Sequence, residues 1–150
     1  MALVLFFMTL GSLATSITLS AQRRPYATSG RYYVAAGLIT GLGVLGFMFS
    51  LVDWAWLFAF LVGVGCAMTF IGAIALPPVL ADSSAAAAGY SGVSLTVGYI
   101  FAFGGPILSG WIVDGTATVA AGFIPLVPAS VLVIWLGGTM PGRRPPPSSV

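Results

Sequence analysis

From Gly98 to Asp114 the chain reads Gly-Tyr-Ile-Phe-Ala-Phe-Gly-Gly-Pro-Ile-Leu-Ser-Gly-Trp-Ile-Val-Asp. At the ~100° per residue of an α-helix, Ser94, Gly98, Ala102, Gly105 and Ser109 fall on one side. Ile100, Phe103, Ile107 and Trp111 fall on the other. One face is bare and the other bulky and apolar, with no charge until Asp114. In water the bulky face would turn inward against a polar outer face. Here the outer face offers no polarity, so the bulky side must meet something equally oily. A lipid-facing bulky side and a closely packed small side is how helices associate in membranes. Pro106 takes the helical donor away from the carbonyl of Ala102, a defect that a membrane bundle tolerates when neighbours take up the freed group.

The rest of the chain suits that setting. Charged residues make up 5% of the 150 residues and hydrophobic ones 59%, against about 25% charged in soluble domains. Mean hydropathy is +1.08. Three Asp and five Arg cannot clothe a water-soluble surface of this size. The expected fold is therefore an all-α integral membrane protein, with the lipid bilayer as its main partner. The few Arg give no basis for a nucleic-acid partner and read instead as topology signals.

A span needs about 20 apolar residues. Five segments qualify: residues 2–20, 33–51, 54–76, 84–113 and 119–136. The first has a small, hydroxylated middle at Gly11 to Ser16; a signal peptide is the rival reading, against which no positive stretch precedes the apolar run and the basic residues follow it. The second carries Gly37 and Gly41 as a GxxxG pair that permits close helix approach. Trp54 and Trp56 open the third at an interface position, and Pro77-Pro78 are expected to stop it. Asp82, ahead of two serines and four alanines, reads as the N-cap of the fourth. Pro125 and Pro128 should bend the fifth. Residues 138–150, with Arg143-Arg144 and Pro145-Pro146-Pro147, read as a disordered cytoplasmic tail.

Orientation follows from Arg. Arg23, Arg24 and Arg31 come after the first span, and Arg143 and Arg144 after the fifth. With five spans these places share a side, while the other side holds Asp53 and Asp114. The positive-inside rule makes the Arg side, and with it the C-terminus, cytoplasmic.

Catalytic constellations are not available. Without His, Lys or Glu there is no Ser-His-Asp set, no Cys-His pair and no Schiff-base lysine. One Cys and three scattered Asp do not make a metal site. No enzyme activity, cofactor or metal is expected. What the spans offer is uncharged polar groups. Cys66 and Thr69 lie near the middle of the third span beside Gly65, Gly72 and Ala73, with Trp56 and Phe70 as candidate walls for a small solute. Tyr99 could reach the same space. The competing reading is that Thr69 bonds its own i−4 carbonyl and that the small residues serve packing.

The segments Leu76 to Asp82, Ala88 to Gly92 and Val97 to Gly110 resemble the last third of major facilitator superfamily carriers. The nearest pattern is that of the cyanate permease and nitroimidazole-transport-like branch. The resemblance covers about residues 1–136. Gly105-Pro106-Ile107-Leu108-Ser109-Gly110 is similar to the GPxxGG end of the family's antiporter motif, of which the eleventh helix is the repeat-related counterpart. The loop from Gln22 to Arg31 keeps basic residues but lacks the Asp of the family's cytoplasmic loop motif.

The resemblance implies that the five spans are helices eight to twelve of a twelve-helix carrier in the plasma (bacterial inner) membrane. The third span would then line the central cavity, giving Cys66, Thr69, Phe70, Ala73 and Tyr99 as candidate substrate residues. Gly98, Ala102, Gly105, Pro106, Ser109 and Gly110 would form a packing and conformational face, and Arg23, Arg24 and Arg31 a cytoplasmic gating loop. The expectation is a C-terminal fragment of a secondary active transporter that moves a small-molecule solute by alternating access. Its further partner would be the missing N-terminal helices of the same carrier. The alternative is a free-standing five-helix structural or accessory membrane protein.

Overall fold

A computed structural model describes residues 2–21, 28–49 and 54–140 of the chain. The described residues form five α-helices: α1 (Ala2–Ala21), α2 (Gly30–Phe49), α3 (Ala55–Leu80), α4 (Ser84–Thr116) and α5 (Leu126–Thr139). A short 3-10 helix (Val119–Phe123) precedes α5. All five spans, the fifth counted with its 3-10 turn, are long and apolar enough to cross a membrane, so the chain is a multi-pass helical membrane protein. Arg23, Arg24, Asp53, Arg143, Arg144 and the tail from residue 141 lie outside the described residues.

Several boundaries differ from the sequence reading. First, α3 runs through Pro77 and Pro78 to Leu80 instead of stopping at Leu76. Proline's fixed φ is helical, and its missing donors leave only the carbonyls of Ala73 and Ile74 unclaimed within the helix. Second, the N-cap of α4 is Ser83, not Asp82: its hydroxyl accepts from the Ala86 N–H at 3.2 Å. This helix continues past Val113 to Thr116, keeping Asp114 in its last turn, and ends at Ala117 in the left-handed region (φ 53°). Third, the last span breaks in two. Pro125 sits at the N-cap of α5 and Pro128 in its first turn, where neither donor is needed. The helix then extends to Thr139, so Gly138 and Thr139 belong to the bundle and not to the tail. The second span is likewise shifted, to Gly30–Phe49.

Glycine governs the packing. α3 lies between α1 and α2, and presents glycine to both. Gly63 faces α1, where a Cβ would collide with the Met8 carbonyl; Gly11 on α1 returns the approach against Phe60. Gly65 and Gly72 face α2, against Thr40 and the Tyr32–Tyr33 pair. On α2, Gly43 and Gly46 meet Val62 and Phe58 of α3. The GxxxG pair, Gly37 and Gly41, looks the other way, toward Ser130 and Ile134 of α5. Small residues let backbones close in where lipid supplies no hydrophobic drive for association.

The same contacts set directions. Phe7 meets Trp56 (ring centroids 5.3 Å apart), while Gly11 meets Phe60 and Val64, so α1 and α3 run the same way. Gly43 meets Val62 and Gly72 meets Tyr33, so α2 opposes α3. Gly30 meets Gly137 and Phe47 meets Phe123 (4.6 Å), so the last span opposes α2. The result is an alternating bundle in which the 28–31 region, the turn at 81–83 and Met140 share one end.

Hydroxyl groups in α1 reach lipid depth by folding back on their own helix. Thr9, Thr15, Ser16, Thr18 and Ser20 each donate to the carbonyl four residues earlier, at 2.7–2.8 Å. Ser12 shares its proton between the Met8 carbonyl (3.1 Å) and the Gly63 carbonyl across the helix interface (3.0 Å).

Candidate functional site

A cavity of about 550 Å³ opens between four helices near the end of the bundle that carries Arg31, Asp82 and Met140. The wall from α3 is Thr69, Ala73, Leu76, Pro77 and Leu80. These positions recur every three or four residues and so form one helix face. Tyr33 comes from α2, Tyr90 and Ser94 from α4, and Val133, Leu136 and Met140 from the end of α5. Along α3, the distance from Leu80 to Thr69 is about 16 Å at helical rise, roughly half the hydrocarbon thickness. The cavity thus reaches from one end of the bundle to near its middle.

Local sequence explains why space opens here. Above Gly65 and Gly72, α2 lies against α3, and Tyr33 fills the gap between α2, α3 and α5, with its Cβ beside Gly137 and its ring beside Gly72. Tyr32 braces it edge-on (5.3 Å, 88°) and donates its hydroxyl to the Met68 carbonyl at 2.7 Å. α4 approaches α3 only along this end and touches the 3-10 helix at the other, where Gly122 meets Val113 and Ser109. It buries no residue along its length. The cavity lies where α4 leans on α3 around the two prolines.

The candidate substrate residues divide. Thr69 and Ala73 line the cavity. The Thr69 hydroxyl donates to the Gly65 carbonyl at 3.0 Å, which leaves it only its lone pairs to offer a ligand. Cys66 is half-buried one turn away and is not in the lining. Phe70 is 64% exposed and Tyr99 71% exposed, both on the outer surface. Trp56 meets Phe7 at a tilt of 48° at the opposite end of α3 and is no wall of this space.

The packing face of α4 is also open. A Cβ added at Gly98, Gly104, Gly105 or Gly110 meets nothing within 4 Å. Ala102 and Pro106 are exposed, and of this stripe Ser109 alone lies beside another element, at Gly122. Close packing of the small face, expected from sequence, is not made among the described residues. Arg31 is exposed in the first turn of α2.

Sequence reasoning missed Tyr33, Tyr90, Ser94 and Pro77 as lining. The sequence gives Tyr90 no distinguishing pattern within the fourth span and puts Pro77 at a helix end. Ser94 stood on the small face of α4, but which neighbour that face meets depends on helices distant in sequence. Among the described residues, the lining carries no Asp, Glu, Lys, Arg or His. The site can hold and orient a molecule. No family model, curated protein or solved structure matches this chain.

Proposed function

We propose that this chain is the C-terminal part of a secondary active transporter of the major facilitator type, moving a small solute by alternating access. The observation that carries this reading is the pairing of an uncharged, half-bilayer-deep cavity with a Gly-Pro helix that stands beside it almost unpacked. A carrier needs a cavity near the midplane and an element able to shift against a firm block. Here α1, α3, α2 and α5 are joined backbone to backbone through glycines, and α4 is held only near its two ends.

In this reading the bare stripe from Gly98 to Gly110 is the contact toward further helices of the carrier. Arg23, Arg24 and Arg31 mark the cytoplasmic side, and the membrane is the bacterial inner membrane. The cavity around Thr69 and Ala73 then opens to the cytoplasm.

The test is uptake. The open reading frame that contains these residues is expressed with whatever flanks it, reconstituted in vesicles and assayed for saturable solute accumulation. Saturable uptake that is lost on filling the cavity supports the reading. If the 150 residues alone give a monodisperse, folded oligomer with no uptake, the chain is instead an assembly subunit that joins copies through the open stripe of α4.

A further inference from the structure

The cavity's lining specifies what it takes, and the inference rests on the transport reading only for the claim that the bound molecule moves. Among the described residues, no lining side chain carries charge. An ionised solute placed there would lose its hydration with no counter-charge, which strongly disfavours it. Apolar surface dominates the walls, from Leu76, Leu80, Val133 and Leu136. A volume of about 550 Å³ falls within the range of small-molecule sites.

A few polar groups remain to be matched. Tyr90 and Ser94 face the cavity from α4, and neither makes a side-chain hydrogen bond among the described residues. Opposite them on α3, the Ala73 carbonyl has no helical donor because Pro77 has none to give. Thr69 adds only acceptor capacity, its proton being committed to Gly65. The wall from α4 can therefore donate and accept, while the wall from α3 can only accept.

We propose that this cavity binds an uncharged, mainly apolar small molecule bearing one hydroxyl or amide-like group. That group donates to the α3 wall at Ala73 and receives from Ser94 or Tyr90 on α4. The apolar body lies between α3 and α5. A ligand seated this way bridges the firm block and the loosely held helix, so its binding draws α4 toward α3.

The test uses the complete chain in lipid nanodiscs and fluorine NMR, with empty nanodiscs subtracted for partitioning. The probes are 4-fluorobenzyl alcohol, 4-fluorobenzoate and 4-fluorobenzylammonium. The alcohol should bind saturably, at least tenfold tighter than either ion. Ala73→Trp and Val133→Trp, which fill the space from two different helices, should each weaken it at least tenfold. Ser94→Ala should weaken it severalfold while the protein's circular dichroism stays unchanged. Equal binding of benzoate or benzylammonium overturns the proposal, as does alcohol binding that neither Trp variant alters. If no probe binds and native mass spectrometry finds a retained lipid that the Trp variants lose, the occupant is an acyl chain and the proposal falls. Saturable alcohol binding without uptake in vesicles would keep this site and remove the transport reading. Uptake of an ion without alcohol binding would do the reverse.

Discussion

Gly30 and Gly137 meet backbone to backbone where the start of α2 crosses the end of α5. A Cβ on Gly137 would sit 2.8 Å from the Gly30 carbonyl oxygen, and one on Gly30 would collide with the carbonyl of Gly137. No side chain fits between them, so the two helices are held at the closest separation their backbones allow. The same relation recurs between Gly63 and Met8 on the other side of the bundle.

Replacing such a glycine should therefore be costly, and the cost should depend on position. Gly63→Val and Gly137→Val force backbone apart and are expected to destabilise by about 3 kcal/mol or more, the upper end for overpacked sites. Gly104→Ala and Gly110→Ala add a methyl group to open space, and should stabilise α4 by up to about 1 kcal/mol through helix propensity alone. Thermal unfolding in detergent should separate the two groups; equal losses in both would refute the packing described.

Gly105→Leu distinguishes the chain from the proposed carrier. Nothing lies within 4 Å of a Cβ there, so these 150 residues should fold unchanged with Leu. In the complete reading frame the same substitution should abolish solute uptake, because the bulk would sit on the contact toward further helices. Undiminished uptake would remove the role assigned to the bare stripe of α4.

Ser12 and Tyr32 each make a hydrogen bond that crosses a helix interface. Ser12→Ala removes the bond to the Gly63 carbonyl, and Tyr32→Phe removes that to the Met68 carbonyl. Each should cost about 0.6 kcal/mol, in line with measured interhelical bonds in membranes. Thr18→Ala, whose hydroxyl bonds only within α1, should change the unfolding midpoint less than either.

Pro77→Ala should raise stability and diminish binding together. An alanine there supplies the missing donor to the Ala73 carbonyl, restoring a helical bond at a site where proline costs up to about 3 kcal/mol. It also takes away an acceptor from the cavity wall. Unfolding and probe titration on one preparation test this; weaker stability with unchanged binding would contradict it.

The side assignment is open to direct measurement. Reporter fusions after Met140 should show cytoplasmic activity, and fusions at Thr118, at the opposite end of the bundle, periplasmic activity. Reversal of both would invert the reading of the Arg distribution.

Five spans and their alternation were legible because uncharged runs of this length have few other stable homes. The Gly37–Gly41 pair announced close approach, but not that its partner is α5, since glycine marks a gap without naming who fills it. Thr69 and Ala73 were found as a polar and a small residue near mid-span. Tyr90 and Ser94 were not, because their place opposite α3 depends on how α4 leans, which no local pattern encodes. Pro77 and Pro78 misled by the rule for helices in water, where a freed carbonyl is readily hydrated outside the helix. Within a bundle, continuing the helix leaves fewer backbone groups to satisfy than ending it there.

The glycine seams also dictate an order of assembly. α1 can lock onto α3 only after residue 80 has left the ribosome, and α2 locks onto α3 at the same stage. α5 must then find α2, not its chain neighbour α4, so it passes beside α4 to close the seam at Gly30 and Gly137. α4, by contrast, leans on α3 at one end and leaves most of its length in lipid. Its bulky residues, Ile100, Phe103, Ile107 and Trp111, keep it there.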